Sequence, residues 1–344
     1  MWKYVLKRVG LALITTIIIV SISFVLIKML DYEKPIGNDS TRYSTYQKDI
    51  KLGYLYKTTV EDKDGKHVDT VSIGSKTYYI YEVPIMEQYF TWIGNIFTKW
   101  DWGVSTKINP GNKASSIIMQ GLPTTIKLNI WSVIVSVPSG IALGIWAALK
   151  KNKATDHIIS TSIMIFISIP SFVMISLLML LLCYKTGILP TQWPASSVTD
   201  LGLRIKGYIL PVICLSFGSI CGYARFTRAE LCEVMSSDYL LLARTKGLTK
   251  NQAIIRHALR NAMVPIVPSI LAEVIGLLSG SMILEQLYGI PGIGKLYVTA
   301  INHHDYNILF VDMTLFTVIG LLSAVILDIS YGFIDPRIRM GAKK

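Results

Sequence analysis

The chain has 344 residues, of which 51% are hydrophobic and only 16% charged, and its mean hydropathy is +0.47. That composition is too apolar for a soluble domain of this length and excludes a free-standing soluble enzyme. The formal net charge of +12 admits nucleic acid or an anionic surface as a partner, so the placement of the charge has to decide.

Residues 1–10, MWKYVLKRVG, run straight into LALITTIIIVSISFVLIKML. A secretory signal has a short apolar core and a small-residue cleavage site. This run is about twenty residues long and is followed by Lys28 and Asp31, so residues 1–30 are expected to be a cytoplasmic N-terminus and a retained first span. Residues 31–115 form a long polar segment, expected outside, with 11 basic and 11 acidic residues. Within it 54–60, 67–73 and 76–83 alternate apolar with polar residues. Turns at Asp64-Gly65 and Gly74-Ser75 predict a small three-stranded β-meander. A meander of that size is marginal alone and needs support from the rest of the chain or a partner.

A second span is expected over 124–149, entered through Leu122-Pro123 and closed by KKNK, with Lys127 able to snorkel to the interface. A third, over 157–184, contains SIPSF at 168–172. Pro170 should kink it and free a backbone carbonyl, which is tolerated where that group faces protein or a water-filled path. A fourth covers 209–223. The polar interval 225–262 follows, with seven basic residues against Glu230, Glu233 and Asp238. Its first part carries an apolar stripe, Leu231, Val234, Met235, Asp238/Tyr239 and Leu242, which predicts an amphipathic helix. Gly247 stops that helix as a left-handed C′ residue, and Thr249 with Gln252 makes a capping box that starts another. The second helix places Ile255, Ala258, Leu259 and Ala262 on one side and Arg256 and Arg260 on another. The product is a helical hairpin tipped by TKGL, with spans holding both ends.

The fifth span, 263–284, is rich in small residues (Ser269, Ala272, Gly276, Ser279, Gly280), and Gly276 and Gly280 suit close helix packing. Glu273 in this span is a buried-charge candidate for the transport path or for a bond to neighbouring helices, as are Asp312 and Asp328 at the ends of the sixth span, 307–331. Between them, GIPGIGKL at 289–296 satisfies G-x4-G-K, but Leu296 stands where a phosphate loop needs Ser or Thr, and no strand precedes it. It reads instead as a Gly/Pro-rich re-entrant loop. Residues 334–344 are expected to form a cytoplasmic tail.

With both termini inside, the four segments expected on that side carry 17 of the 34 basic residues and 5 of the 22 acids. Their excess equals the whole net charge, and the remainder cancels. This is the positive-inside asymmetry and not a nucleic-acid footprint. A DNA-reading helix-turn-helix would also need a free domain, which spans at both ends of 225–262 deny it. The four cysteines fall at spacings of no metal site and imply no disulfide. His303-His304-Asp305 could meet a metal, but adjacent histidines rarely share one ligand geometry. No nucleophile–base or paired-carboxylate arrangement is present, so no catalytic residue and no metal is expected.

YLLLARTKGL followed by IRHALRNAMVP resembles the cytoplasmic coupling motif of ABC importer permeases, in the variant of the oligopeptide/dipeptide branch. Against the general pattern (Glu-Ala-Ala, three residues, Gly, nine residues, Ile-x-Leu-Pro) the chain keeps Ala243, Gly247 and Leu259. It has Leu241, Leu242, His257 and Arg260 at the Glu, first Ala, Ile and Pro positions. SIPSF, WIGNIFTKWDWGVS, IIMQGLPTTIKLNI, EQLYGIPGIGKL, AINHHDY and DPRIR also resemble that branch, so the likeness covers the first span and about 87–339 and leaves 31–84 as an insertion.

The resemblance implies an all-α polytopic membrane protein of six transmembrane helices, a type I importer permease fold over 116–333, carrying a β-rich extracytoplasmic insertion. It implies a hairpin that docks an ATPase through Asp238, Tyr239, Ala243, Arg244, Thr245, Lys246, Gly247, Leu248, Arg256, His257, Arg260 and Asn261. The re-entrant loop is implied for Glu285, Gly289, Pro291, Gly292 and Gly294, and Pro170 and Glu273 are candidates for the pathway. The implied partners are a second homologous permease, two cytoplasmic ATPases that hold the ATP and magnesium, an extracellular peptide-binding protein, the peptide and the lipid bilayer. The expected location is a bacterial cell membrane, with no cofactor in this chain. Nickel or another solute is the alternative cargo. A stand-alone secondary transporter is the rival class, but the inverted repeat it would need is not seen in the sequence.

Overall fold

The computed structural model describes residues 2–30, 32–276 and 280–334. Five of its helices are long and apolar enough to cross a membrane: Val5–Lys28, Ala114–Leu149, Leu201–Met235, Asn251–Gly276 and Tyr306–Ser330. A sixth crossing exists only if Ala154–Ser168 and Ser171–Lys185, bent by 100° at their junction, count as one span. The kink expected at Pro170 is therefore a full break in the third span. Ile169 is extended (φ −80°, ψ 122°) and Pro170 caps the next helix with ψ 139°, because the residue before proline is pushed out of the helical region. The chain forms two compact units, each described by itself.

One unit comprises residues 13–120 and 299–317. It holds most of helix α1 (Trp2–Lys28), α2 (Asp39–Lys51), strands β1 (Leu55–Thr58), β2 (Lys66–Ile73) and β3 (Lys76–Glu82), and α3 (Ile85–Lys99). The sheet order is β1-β3-β2, antiparallel throughout, with Leu55 opposite Glu82 and Ile73 opposite Lys76. The expected meander is thus corrected: β2 and β3 form the hairpin, turning at Gly74 with φ +60°, but β1 pairs with β3. The physical reason lies in the shared core: Ile80 of β3 clusters with Leu55 of β1 and with Val68 and Val71 of β2, so both neighbours join the apolar face that β3 presents to α2. Tyr46 of α2 packs on Leu55, Val68, Val71 and Ile80, and its hydroxyl donates to Asp69 (2.8 Å), which also takes an ion pair from Arg42. Asp305 ties the unit's second segment to its first. It accepts from Ser105 Oγ (2.6 Å) and from the backbone N–H groups of Thr106, Lys107 and Ile108.

The other unit comprises residues 1–12, 121–298 and 318–344. It holds most of α4 (Ala114–Leu149), then α5 (Ala154–Ser168), α6 (Ser171–Leu178) continued by a π-helical turn Met179–Lys185, and α7 (Leu201–Met235). These are followed by α8 (Asp238–Thr245), α9 (Lys250–Ala253) with a π turn at Ile254–Ala258, α10 (Leu259–Gly276), α11 (Met282–Tyr288), the first part of α12 (Ile293–Asn302) and the end of α13 (Tyr306–Ile334). Two glycines of α4 bring its backbone close to α7. A Cβ on Gly140 would stand 2.8 Å from the Ile220 carbonyl oxygen, and one on Gly144 2.6 Å from that of Ala224.

This small-residue pair, and not Gly276 with Gly280, is the tight seam. Gly276 faces open space and Gly280 lies beyond the helix with φ +73°. The expected fifth span is likewise shorter at its end, since α10 stops at Gly276 and Met282 opens a separate helix. The sixth span begins one residue earlier than expected. Residues 277–279, with Ser279 of the small-residue set, and the DPRIR tail lie outside the described residues.

Candidate functional site

The hairpin is built in three steps. α7 ends at Met235, where Ser236 Oγ donates to the Glu233 carbonyl (2.8 Å) and Ser237 Oγ to that of Val234 (2.5 Å). Serines that bond back to the preceding turn compete with the helix and end it. α8 then begins at Asp238, whose negative charge suits a helix N-terminus. The apolar stripe is reset across this break. Leu240 is buried, whereas Tyr239 and Leu242, which a continuous helix would bury, are exposed.

Gly247 closes α8 with φ +93°, its N–H donating to the Arg244 carbonyl (3.0 Å). The capping box is formed from both sides: Thr249 N–H to Gln252 Oε1 (3.1 Å) and Gln252 N–H to Thr249 Oγ1 (3.3 Å). The π turn that follows shifts the second face by one residue. Ile254, Ala258 and Ala262 are buried with Ala148, Leu231, Cys232 and Leu240, and Ile255 is 67% exposed.

The outcome is a hairpin held at its base by an apolar cluster and bare at its tip. Leu241 (63%), Leu242 (57%) and Ile255 are exposed beside Arg244, Lys246, Arg256, His257, Arg260 and Asn261, all on the surface. Ala243 and Leu248 are half-buried, while Asp238 and Thr245 are exposed. Space around Gly247 is open, with nothing within 4 Å of a Cβ added there.

Beneath the hairpin lies a pair that sequence reasoning missed. Asp156, 1% exposed at its side chain, receives Arg228 Nε at 2.5 Å and Nη2 at 2.7 Å. It also accepts from the Asn152 N–H (2.9 Å) and Ser160 Oγ (3.3 Å). The two-pronged geometry couples the start of α5 to α7 two turns before the end of α7. Both residues had counted only as charges on the side expected to be positive. An Asp three residues after Lys153, in the first turn of a helix, is the one local signal.

The loop after α10 is organised by a buried carboxylate. Glu285, 2% exposed, accepts from Thr125 Oγ1 of α4 (3.1 Å) and from the Lys295 N–H (3.0 Å). Thr125 Oγ1 in turn accepts from the Ile293 N–H (3.1 Å). Gly292 and Gly294 crowd the same carboxylate. A Cβ on Gly292 would lie 2.4 Å from Glu285 Oε2, and one on Gly294 2.9 Å from the Met282 nitrogen. Gly289 turns the chain at the end of α11 with φ +75°, and Pro291 stays exposed. Glu285, Gly292 and Gly294 are therefore one assembly, with Thr125 as the member not foreseen. Leu284, Tyr288 and Ile290 seat it on Leu128, Ile175, Cys183 and Leu210. Lys295 sits inside α12, with a helix and not a strand before the turn.

Pro170 and Glu273 are not brought together by any hydrogen bond among the described residues. Pro170 marks the α5–α6 break. Glu273 is half-buried on α10, with Oε1 buried and unbonded among the described residues.

Comparison with known proteins adds the following. Residues 140–340 match the profile of a family described as binding-protein-dependent transport system inner membrane component. The dipeptide transport system permease protein DppB of Bacillus subtilis is 28% identical over 343 residues, 100% of each chain. DppB of Lactococcus lactis is 31% identical over 341 residues, 99% of this chain and 100% of its own. The oligopeptide transport system permease protein OppB of Escherichia coli is 29% identical over 340 residues, 98% and 100% respectively. Among solved structures, an inward-facing MetNI methionine ABC transporter matches with a TM-score of 0.51 at 17% identity, over 64% of this chain and 97% of that one. That likeness is one of fold.

Proposed function

Because the chain belongs to the binding-protein-dependent transport system inner membrane component family, whose members DppB and OppB match it along nearly its whole length, we propose that it is one of two permease subunits of an ATP-driven peptide importer. It is a multi-pass transport permease. In the proposed assembly it forms half of the translocation pathway with a homologous permease. An extracytoplasmic binding protein delivers the peptide, and two cytoplasmic ATPases hydrolyse ATP and dock on the hairpins.

The observation that carries this reading is the hairpin tip. Leu241, Leu242 and Ile255 expose apolar surface in a cationic setting, on an element whose base is fixed by Leu231, Leu240, Ile254 and Ala258. A solvated loop has no reason to hold three large apolar side chains outward, whereas a docking element does. The charge excess of residues 225–262 supports a cytoplasmic side for them and for both termini, in a bacterial cell membrane. In this reading residues 31–115 form the extracytoplasmic segment, the Glu285-centred loop re-enters the outer mouth, and Pro170 and Glu273 border the path.

The test is uptake of a labelled dipeptide by cells lacking their own peptide importers. Uptake should require this chain together with its companion permease and both ATPases, and should stop when the ATPases cannot hydrolyse ATP. Uptake by this chain alone would mean a stand-alone transporter.

A further inference from the structure

We propose that helix α3 (Ile85–Lys99) lies in the lipid, as an interfacial helix that anchors the segment following the first span to the leaflet at the C-terminal end of α1. α3 divides into three sectors. Gln88, Trp92 and Ile96 are its buried face, with Trp92 stacked on Phe24 of α1 at 4.8 Å and Tyr89 edge-on to the same ring at 5.7 Å. Glu87, Thr91 and Thr98 form an exposed polar face. Between these runs a second apolar stripe that touches no protein core: Met86 is 59% exposed, Phe90 67% and Phe97 69%. At 100° per residue these three side chains point within about 40° of one another.

Depth decides what covers that stripe. Tyr89 OH bonds Ser21 Oγ at 2.7 Å, and Ser21 stands seven residues before Lys28, the end of the span. Seven residues of helix are about 10 Å, so Tyr89 reaches well inside the half-thickness of a hydrocarbon layer about 30 Å across. α1 is itself a lipid-facing helix there, with Ile18, Ile22 and Leu26 each more than half exposed. The stripe on α3 is exposed and apolar in the same way. The end of α3 has the residues of a membrane boundary. Lys99 lies in the last turn, and Trp100 and Trp102 meet edge to face at 5.7 Å, amphipathic side chains that favour the headgroup level. Glu87, Thr91 and Thr98 then turn toward the headgroups, as expected of a helix lying in the interface plane.

Lipid burial rests only on the span assignment of α1. The name of the leaflet, outer, rests on the orientation proposed above. Spin labels at Phe90→Cys and Phe97→Cys, in a chain with its four native cysteines replaced, test it in the whole permease complex in lipid nanodiscs. Ile22→Cys serves as the lipid reference and Thr91→Cys as the polar control. Labels at 90 and 97 should collide with oxygen as often as the label at 22 and be shielded from a water-soluble nickel chelate, while the label at 91 meets the chelate several-fold more. Chelate access at 90 and 97 equal to that at 91 would overturn the proposal. So would shielding from both oxygen and chelate, since a protein neighbour would then cover the stripe. Dipeptide uptake by the same variants reports separately on the importer reading.

Discussion

At the scale of single residues the two buried acids make opposite demands on a mutation. Asp156 is an ion-paired charge with almost no exposure, so removing Arg228 strands it; breaking such a pair costs about 3–5 kcal/mol. Arg228→Met should therefore lower the midpoint of thermal unfolding sharply, and Asp156→Leu added to it should recover part of the loss, as measured by a double-mutant cycle on the purified complex. A cycle in which the two effects simply add would mean the pair is not energetically coupled. Glu285 takes no salt bridge among the described residues; its work is to accept the Lys295 N–H and the Thr125 hydroxyl. Glu285→Gln keeps an acceptor in place and should be tolerated, whereas Glu285→Ala leaves buried donors unmet at about 1–3 kcal/mol each. Equal thermal stability of the two variants would count against this role. Gly247 sits at φ +93° in open space, so Gly247→Asp should cost only about 1 kcal/mol of backbone strain. Membrane abundance should stay normal while the ATPases detach on purification. Full retention of the ATPases with normal uptake would make TKGL a mere loop.

At the scale of elements, what was legible in the sequence was what local chemistry decides. The Gly247 stop and the Thr249–Gln252 box were readable because each lies within four residues of its partner. Apolar length made the spans readable, but not the full break at Ile169-Pro170 or the end of the fifth at Gly276. What escaped was decided by distant partners or by small local departures from a regular helix. The strand order β1-β3-β2 depends on β1 pairing with residues 21 to 27 positions away, and a turn at Asp64-Gly65 says nothing about that choice. Thr125 lies 160 residues from Glu285. The pair of serines after Met235 and the π turn at Ile254–Ala258 each shift the helical register. They exchange Tyr239 and Leu242 for Leu240, and Ile255 for Ile254, on the buried face. That exchange yields a prediction at the same scale: Leu241→Ser with Ile255→Ser, both exposed, should leave folding intact but weaken ATPase retention by at least tenfold. Leu240→Ser or Ile254→Ser should instead destabilise the hairpin itself. Co-purification read beside thermal unfolding separates the two, and retention unaffected by the exposed pair would refute docking through that surface.

At the scale of the whole molecule, orientation follows from where charge is placed and not from how much there is. The balanced segment 31–115 has 11 charges of each sign and, being long, has little say in which side it occupies. The short segments do decide. The 150–153 turn is basic, and residues 225–262 carry seven basic residues against three acidic ones. Those two segments follow α4 and α7, so an even number of crossings must separate them, as the bent α5–α6 pair and α7 provide if the pair is counted as one span. Were the pair instead a re-entrant excursion, the two basic segments would fall on opposite sides, and one of them would violate the charge rule. The broken third span is therefore expected to cross. Single cysteines at Gly65, Asn152 and Gly247, introduced into a chain lacking its four native cysteines, should show 65 labelled from outside intact cells by an impermeant maleimide, and 152 and 247 labelled only after the membrane is opened. Labelling of 152 and 247 from opposite sides would reduce the crossings to five. Labelling of 247 but not 65 from outside would invert the molecule and remove the ATPases from reach of the hairpin.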